Sequence, residues 1–212
     1  MTNGVAGVVL AGGHATRMGG GDKSLHLLDD RPILAHVIER LRPQVGEIVL
    51  NANGDPARFS TSGLEVIADP TLELGPDLGP LGGILAGMIW ASTHPARYPH
   101  IVTVAADTPF FPDTLAGRFL AALADGGRDS VVLAASGGQV HPTFGLWPVA
   151  LKDDLQAFLA SNGAASVRRF ASQNRPPLVV DFTIPDRIDP FFNVNTPEDL
   201  AQARDFMRSL KG

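Results

Sequence analysis

The sequence predicts an α/β fold in which one domain, residues 1–212, has a mostly parallel mixed sheet with helices on both faces. Short valine-rich apolar runs alternate with segments in which apolar residues recur at helical spacing. One pair of runs flanks a short glycine turn, which indicates a single antiparallel hairpin within the parallel order. The chain has 212 residues, of which 44% are hydrophobic and 18% charged, so it can bury its own core and is not disordered.

Four apolar runs in the first half are typical of buried strands. They cover residues 5–10, 47–50, 64–67 and 101–106. Asn51, Asp69 and Asp107 stand at the exits of the last three runs. Since ligands of open α/β sheets bind at the carboxyl ends of the strands, these polar residues are candidates for a binding site.

The segments between these strands contain the first helices. Pro32 is at a favoured first-turn position of a helix that runs to Leu41. Further helices are expected over residues 84–91 and around residues 115–123. Residues 69–83 are rich in proline and glycine, which predicts a long loop before the second helix.

The second half predicts a hairpin followed by three helices. Residues 130–135 and 140–147 have strand character and flank a Ser-Gly-Gly turn. Helices are expected over residues 148–159, 165–171 and 197–210. Thr196 is the expected N-cap of the last helix, which has acidic residues in its first turn.

Charge and cysteine content exclude several classes of function. The formal net charge of −5 argues against general binding to nucleic acid or to anionic membranes. The absence of cysteine excludes disulfides, thiolate zinc sites and a cysteine nucleophile, and it fits a reducing compartment. The N-terminus does not look like a signal peptide, and no apolar run is long enough to span a membrane. A cytoplasmic location is expected.

The glycine-rich segment after the first strand is the strongest candidate for a ligand-binding loop. Residues 10–25 read LAGGHATRMGGGDKSL. They do not form a Walker A loop, because Asp22 rather than glycine precedes Lys23, and no dinucleotide-binding G-x-G-x-x-G fits. The glycines permit close backbone approach, and Arg17 and Lys23 supply two cations. This combination suits a triphosphate held by amide N–H groups and charge-assisted bonds.

Asp107 has two possible roles on sequence grounds. A carboxylate at a strand end can bind Mg²⁺ together with substrate phosphates, since Mg²⁺ takes only one or two protein carboxylates in such sites. The same aspartate, followed by Thr-Pro, can instead begin a turn and cap the next helix. Other catalytic classes fit poorly, because Ser136 lacks the glycine pattern of a nucleophile elbow and the histidines have no zinc-binding spacing.

Residues 10–25 resemble the L-A-G-G-x-x-x-R-M-G-G-x-D-K motif of nucleotidyltransferases that act on molybdopterin. Further motifs agree in the same order and across nearly the whole chain: GPLGG at 79–83, DTP at 107–109, HPT at 141–143 and NVNTPEDL at 193–200. The first motif alone is shared with sugar-phosphate and cytidylyl-transferring relatives. Asn193 and Asn195 favour the guanylyl-transferring branch, the molybdopterin-guanine dinucleotide biosynthesis family. The additional glycine in the Gly-Gly-Gly run at 19–21 stands at a variable position of the motif.

The resemblance implies a single Rossmann-like nucleotidyltransferase domain that uses Mg²⁺ to transfer GMP from GTP to the terminal phosphate of molybdopterin. It implies a GTP site formed by Leu10, Ala11, Gly12, Gly13, Lys23, Asn51, Asp69 and Asp107. It implies a molybdopterin site formed by Arg17, Gly20, Gly79, Gly83, Asn193 and Asn195. The catalytic roles fall to Arg17, Lys23 and Asp107, with Asp107 as the metal ligand.

Several alternatives remain open at this point. Asn193 and Asn195 also suit turns or the cap of the last helix, and His141 is expected to be a hairpin residue without a catalytic role. The chain can instead be a cytidylyltransferase on molybdopterin or a sugar-phosphate nucleotidyltransferase. From another class, it can be a nucleotide-binding regulatory module without catalysis. Besides the two substrates, transient contacts with proteins that deliver or accept the cofactor are expected.

Overall fold

The computed structural model describes residues 4–12, 22–94, 96–127, 129–162, 166–173, 175–184 and 188–211. Its strands are β1 (Val5–Leu10), β2 (Leu27–Leu28), β3 (Arg31–Pro32), β4 (Glu47–Asn51), β5 (Glu65–Ile67), β6 (His100–Ala105), β7 (Val132–Ser136), β8 (Gln139–Pro148) and β9 (Leu178–Asp181). Its α-helices are α1 (Ile33–Leu41), α2 (Thr71–Leu74), α3 (Pro80–Ser92), α4 (Leu115–Gly126), α5 (Lys152–Asn162), α6 (Val167–Ala171) and α7 (Pro197–Lys211).

One seven-stranded sheet organises these elements, in the order β5-β4-β1-β6-β8-β7-β9. Strands β5, β4, β1 and β6 are parallel neighbours. Strand β8 is antiparallel to both β6 and β7, and β9 returns parallel to β7. The mostly parallel mixed sheet is therefore confirmed, and the predicted hairpin β7–β8 is the source of its antiparallel strand.

Helices cover both faces of the sheet, as expected. The side chains of β1 alternate, so that Val5 and Val9 face one core cluster while Ala6 and Val8 face the other. Helices α1 and α4 contribute to the first cluster, and α3, α5 and α6 contribute to the second. Since both faces are buried, the ligand-accessible part of the sheet is its carboxyl edge.

The loop predicted over residues 69–83 is wrong in part. A short helix, α2, interrupts it, and α3 begins at Pro80, four residues before the expected start. Proline is favoured at the first helical position, where its missing N–H costs no hydrogen bond. Two of the glycines that indicated a loop, Gly82 and Gly83, lie inside the first turn of α3, because side chains there would collide with Asp69 and with Asn51 at the end of β4.

Other boundaries also differ from the prediction. The helix expected over residues 148–159 begins only at Lys152, because β8 continues to Pro148 and a 3-10 turn, Val149–Leu151, intervenes. Helix α6 begins at Val167, where the Ser166 hydroxyl accepts the cap hydrogen bond from the Arg169 amide. The sequence reading missed the edge strand β9, the β2–β3 ribbon and the 3-10 segment Pro56–Ser62.

Helix α7 returns the chain to the carboxyl edge of the sheet. Thr196 is its N-cap, as predicted: its hydroxyl accepts from the Asp199 amide at 3.1 Å, while the Asp199 carboxylate accepts from the Thr196 amide at 2.9 Å. The helix packs in a small cluster that includes Leu28, Phe110 and Val194. In the ranges described above, no helix is long and apolar enough to cross a bilayer.

Candidate active site

A pocket of about 190 Å³ opens at the carboxyl ends of β1, β4 and β6. Most of the site residues predicted from the sequence line it: Leu10, Ala11, Gly12, Lys23, Asn51, Asp69, Gly79, Asp107 and Asn193. These residues come from widely separated parts of the chain. Those at the ends of β1, β4, β5 and β6 meet because parallel strands end at the same edge. Gly13, Arg17 and Gly20 lie outside the described residues, so their roles remain predictions.

One wall of the pocket is a network of hydrogen-bonded polar side chains at the ends of β4 and β5. Asn51 Nδ2 donates to Asp69 Oδ1 at 2.8 Å, and Asn53 Nδ2 donates to Asp69 Oδ2 at 2.9 Å. Asn53 Oδ1 in turn accepts from the backbone amide of Asp69 at 2.9 Å. Each oxygen of the Asp69 carboxylate therefore has an amide donor, which fixes the orientation of both asparagines.

The start of α3 packs directly on this polar wall. A Cβ on buried Gly83 would collide with Asn51 Oδ1, and one on Gly82 would lie 2.8 Å from Asp69 Oδ2. Gly79 precedes the helix with a left-handed φ of +64°, a conformation that favours glycine. The close approach of α3 to Asn51 thus explains why residue 83 is a glycine. The contact of Gly83 with the pterin stays a prediction.

Lys23 and Asp107 supply opposite charges to the pocket. Lys23 Nζ donates to Asn195 Oδ1 at 3.0 Å. Burial raises the pKa of the Asp107 carboxyl, while the Thr108 hydroxyl and the positive charge of Lys23 act in the opposite direction. A partly desolvated carboxylate of this kind is stabilised by additional positive charge, whether from lysine or from a metal ion.

The remaining wall is the segment before α7, which docks on the exit of β6. The Thr108 hydroxyl donates to Asn193 Oδ1 at 2.6 Å and lies 3.2 Å from Asp107 Oδ1. The Val194 amide donates to the Asp107 carbonyl at 2.9 Å. Asn193 and Asn195 are thus held beside Asp107 and Lys23, and Thr196 caps the last helix instead of either asparagine.

The helix-cap role considered for Asp107 does not agree with the structure. Helix α4 begins only at Leu115, and its N-cap position is occupied by Thr114. Asp107 instead lies in the turn immediately after β6 and faces the pocket. Among the described residues, no group of three or more histidine and acidic side chains is arranged to hold a metal ion.

Sequence reasoning missed an ion pair that connects two walls of the pocket. Arg58 Nη1 lies 2.6 Å from Asp22 Oδ2, and Arg58 Nη2 donates to the Asn53 carbonyl at 2.5 Å. The guanidinium thereby joins the residue before Lys23 to the loop that carries Asn53. No local pattern indicates this contact, because its partners are 36 residues apart.

A second cavity, of about 670 Å³, lies between α1 and the 3-10 segment Pro56–Ser62. It is larger than the strand-end pocket, but its lining is mainly apolar. Three charged side chains line it: Arg42, and the pair Arg31 and Glu39, which form an exposed ion pair of 2.8 Å. Lys23, Asn51 and Asp107 line the smaller pocket and not this cavity.

The sequence pattern of the MobA-like NTP transferase domain matches residues 7–176. The chain belongs to this family. A molybdenum cofactor guanylyltransferase from Bradyrhizobium sp. (strain ORS 278) is 48% identical over 202 residues, covering 95% of this chain and 92% of the relative. The enzyme of that name from Mesorhizobium japonicum is 43% identical and covers 99% of both chains. The resemblance noted from the motifs is confirmed, and the chain is a nucleotidyltransferase.

Solved structures share the fold at low sequence identity. Molybdopterin-guanine dinucleotide biosynthesis protein A from Archaeoglobus fulgidus aligns with a TM-score of 0.73 at 20% identity, covering 96% of this chain and 99% of the other. A 4-diphosphocytidyl-2C-methyl-D-erythritol synthase from Anaerococcus prevotii aligns at 0.71 with 12% identity, covering 96% of each chain. The predicted α/β nucleotidyltransferase fold is therefore confirmed.

Proposed function

We propose that this protein transfers GMP from GTP to the terminal phosphate of molybdopterin, forming the guanine dinucleotide cofactor and pyrophosphate. The observation that carries the proposal is the convergence of Lys23, Asp107 and Asn193 in one strand-end pocket. The names of the relatives that cover nearly the whole chain support the same reaction.

GTP occupies the side of the pocket formed by β1, β4 and β5. The polar wall of Asn51 and Asp69 seats guanosine, and residues 10–13 lie along the nucleotide. Lys23 contacts the phosphates, since its ammonium group is a mobile point charge on a long stem. Arg17 belongs to the same glycine-rich segment and adds a second cation toward the phosphates of the two substrates.

Molybdopterin occupies the side formed by the start of α3 and the segment before α7. Asn193 and Asn195 offer amide groups, which can donate and accept hydrogen bonds with the pterin without adding charge. Because Thr108 holds Asn193 Oδ1, the NH₂ group of Asn193 is the donor that it can present to a ligand. Gly20, Gly79 and Gly83 allow the backbone to approach the pterin and its phosphate.

The reaction is an in-line displacement at the α-phosphorus of GTP. A terminal phosphate oxygen of molybdopterin forms the new bond to this phosphorus, and the bond to the β-phosphate oxygen breaks to release pyrophosphate. No covalent enzyme intermediate is needed, so the residues act by orienting the two substrates and by neutralising developing negative charge. Lys23 supplies the neutralising positive charge directly.

Mg²⁺ is the metal that we assign to Asp107. The largely buried carboxylate of Asp107 in this pocket is an oxygen ligand of the kind that Mg²⁺ uses together with substrate phosphates. Asp107 would hold the ion, which would neutralise negative charge on the reacting phosphates. The absence of cysteine fits a cytoplasmic protein. We propose that it acts there on small-molecule substrates and makes transient contacts with proteins that deliver or accept the cofactor.

A nucleotide panel with purified molybdopterin and Mg²⁺ tests the proposal. Pyrophosphate release and product mass should show GTP preferred over CTP and ATP by about a hundredfold or more, since a wrong base leaves buried polar groups unpaired. Equal turnover of CTP would remove the guanylyl assignment. GTP binding without turnover on molybdopterin or a sugar phosphate would indicate a regulatory module instead.

A further inference from the structure

A polar cluster of buried Ser136 with half-buried His141 and Asp189 lies beside the segment that leads to Asn193 and has no role in the mechanism above. The Oγ atom of Ser136, at the end of β7, is 2.7 Å from His141 Nε2 and 2.8 Å from Asp189 Oδ1. Ser136 is only 1% exposed, which excludes it as an accessible nucleophile. The cluster joins the β7–β8 hairpin to the segment that leads into α7.

Hydrogen-bond chemistry fixes the direction of these two contacts. A serine hydroxyl has one hydrogen, and an ionised carboxylate can only accept. Ser136 therefore donates to Asp189, and His141 donates its Nε2–H to the Ser136 oxygen. A neutral histidine in this tautomer satisfies every partner, and burial, which lowers the pKa of His141, favours the neutral form.

Asp189 passes this constraint to the backbone that follows it. Its Oδ1 also accepts from the Phe191 amide at 2.9 Å, and its carbonyl accepts from the Phe192 amide at 3.0 Å. The His141 ring stacks on the Phe191 ring, with 4.5 Å between the centroids and 24° between the planes. The hairpin thus holds both the turn and the aromatic side chain of the segment.

The segment reaches the pocket two residues after Phe191. Asn193 and Val194 make the contacts to Thr108 and Asp107 already described. At its other end, the Thr196 cap fixes the chain to α7. The cluster therefore holds the N-terminal end of residues 189–195, and helix α7 holds their C-terminal end.

We propose that Ser136, His141 and Asp189 are positioning residues that order residues 189–195 and thereby set the affinity for the acceptor substrate. The inference rests on the proposed function only in assigning Asn193 and Asn195 to that acceptor. The polar wall that seats guanosine is made by other elements and shares no hydrogen bond with the cluster. Because Asn195 also holds Lys23, loss of the cluster should weaken acceptor use more than it weakens GTP binding.

The test compares Asp189→Ala with Asp189→Asn. The alanine removes the acceptor of two hydrogen bonds, so the KM for molybdopterin should rise about tenfold or more. The asparagine keeps a side-chain oxygen at the same place and should stay within about threefold of wild type. Ser136→Ala, which leaves the Phe191 contact intact, should fall between them. In all three variants the Kd for GTP should change much less than the KM for molybdopterin, and a melting temperature above the assay temperature shows that each variant is folded.

Hydrogen exchange at the Phe191 and Val194 amides provides a readout that needs no substrate. Exchange should be faster in Asp189→Ala and unchanged in Asp189→Asn. Unchanged exchange in Asp189→Ala, or equal losses of GTP and acceptor affinity, would overturn the inference. If wild-type protein transfers GMP to no acceptor, the proposed function is wrong, and so is the proposed effect of the cluster on acceptor affinity. The exchange measurement then still decides whether the cluster orders the segment.

Discussion

In the proposed function Lys23 serves both substrates. Its ammonium group donates to Asn195, which we assign to molybdopterin, and the residue lines the pocket that we assign to GTP. We expect Lys23→Ala to lower turnover at subsaturating GTP by about an order of magnitude, the usual cost of losing a charge-assisted contact. The free energy of unfolding should change by less than about 1 kcal/mol, since the residue is outside the core.

The control for Lys23→Ala is Lys152→Ala, which removes a lysine that pairs only with its neighbour Asp153 among the contacts described. Steady-state kinetics over a GTP titration and thermal melting measure both effects. Normal turnover by Lys23→Ala would mean that the lysine is a solvated charge without a role in the reaction.

His141 should make the protein less stable in acid. Burial lowers its pKa below the ordinary value of 6.5, with Asp189 acting to raise it and Arg168 to lower it. The unfolded chain therefore takes up a proton before the native state does, and stability is lost as the pH falls through the unfolded pKa toward the native one. Between pH 7 and pH 5, His141→Gln should lose less melting temperature than wild type.

The matched control for this pH effect is His26→Gln, which removes a histidine outside the cluster. Melting curves at several pH values, without substrate, are sufficient for the comparison. A slope in His141→Gln as steep as that of wild type would contradict the assignment of the effect to His141.

At the scale of elements, the approach of α3 to β4 shapes the polar wall, and Gly83 makes it possible. Gly83→Ala should destabilise the protein by about 1 to 3 kcal/mol, because the added methyl group meets Asn51 and Leu10. GTP affinity should fall as well, since Asn51 belongs to the polar wall that we assign to guanosine.

Gly117→Ala is a suitable comparison, because Gly117 lies in α4 with no heavy atom within 4 Å of an added Cβ. Alanine there should stabilise the protein by roughly 0.5 to 1 kcal/mol through helix propensity. Denaturant unfolding of the two variants measures both changes. Equal stability of the two alanine variants would contradict the close packing at Gly83.

The elements that the sequence predicts well are those that burial dictates. Strands β1 and β6 lie inside the sheet, so their composition is continuously apolar and their ends are visible from the residues that follow. Strand β9 was missed because it is a short edge strand: Val179 is 52% exposed and two prolines precede Leu178. The start of α3 was misplaced because glycines required for close packing resemble loop glycines.

The site shows the same division. Asn51, Asp69 and Asp107 could be predicted as pocket residues, since each lies at the end of an apolar strand or within two residues of it. The contacts of Arg58 with Asp22 and of Ser136 with Asp189 could not, because they join residues that are far apart along the chain. Tertiary packing alone creates them.

At the scale of the whole molecule, the fold concentrates its few strand-end polar groups at one edge of an otherwise apolar sheet. An acidic protein with a net charge of −5 does not attract a triphosphate at long range. The anion has to be bound locally, by Lys23, by the glycine-rich segment and by the metal that we assign to Asp107. We therefore expect that GMP is transferred in this pocket.

The most direct test follows the α-phosphate of radiolabelled GTP in wild type and in Asp107→Asn, with molybdopterin and over a Mg²⁺ titration. Wild type should move the label into the dinucleotide product, with one pyrophosphate released per label transferred. Asp107→Asn should lose transfer and pyrophosphate release together by at least about a hundredfold, because metal-assisted charge stabilisation contributes several kcal/mol. Its melting temperature should not fall, since asparagine removes a charge that burial disfavours. Label released as free GMP, or near-normal transfer by Asp107→Asn at the same Mg²⁺ requirement, would contradict the account.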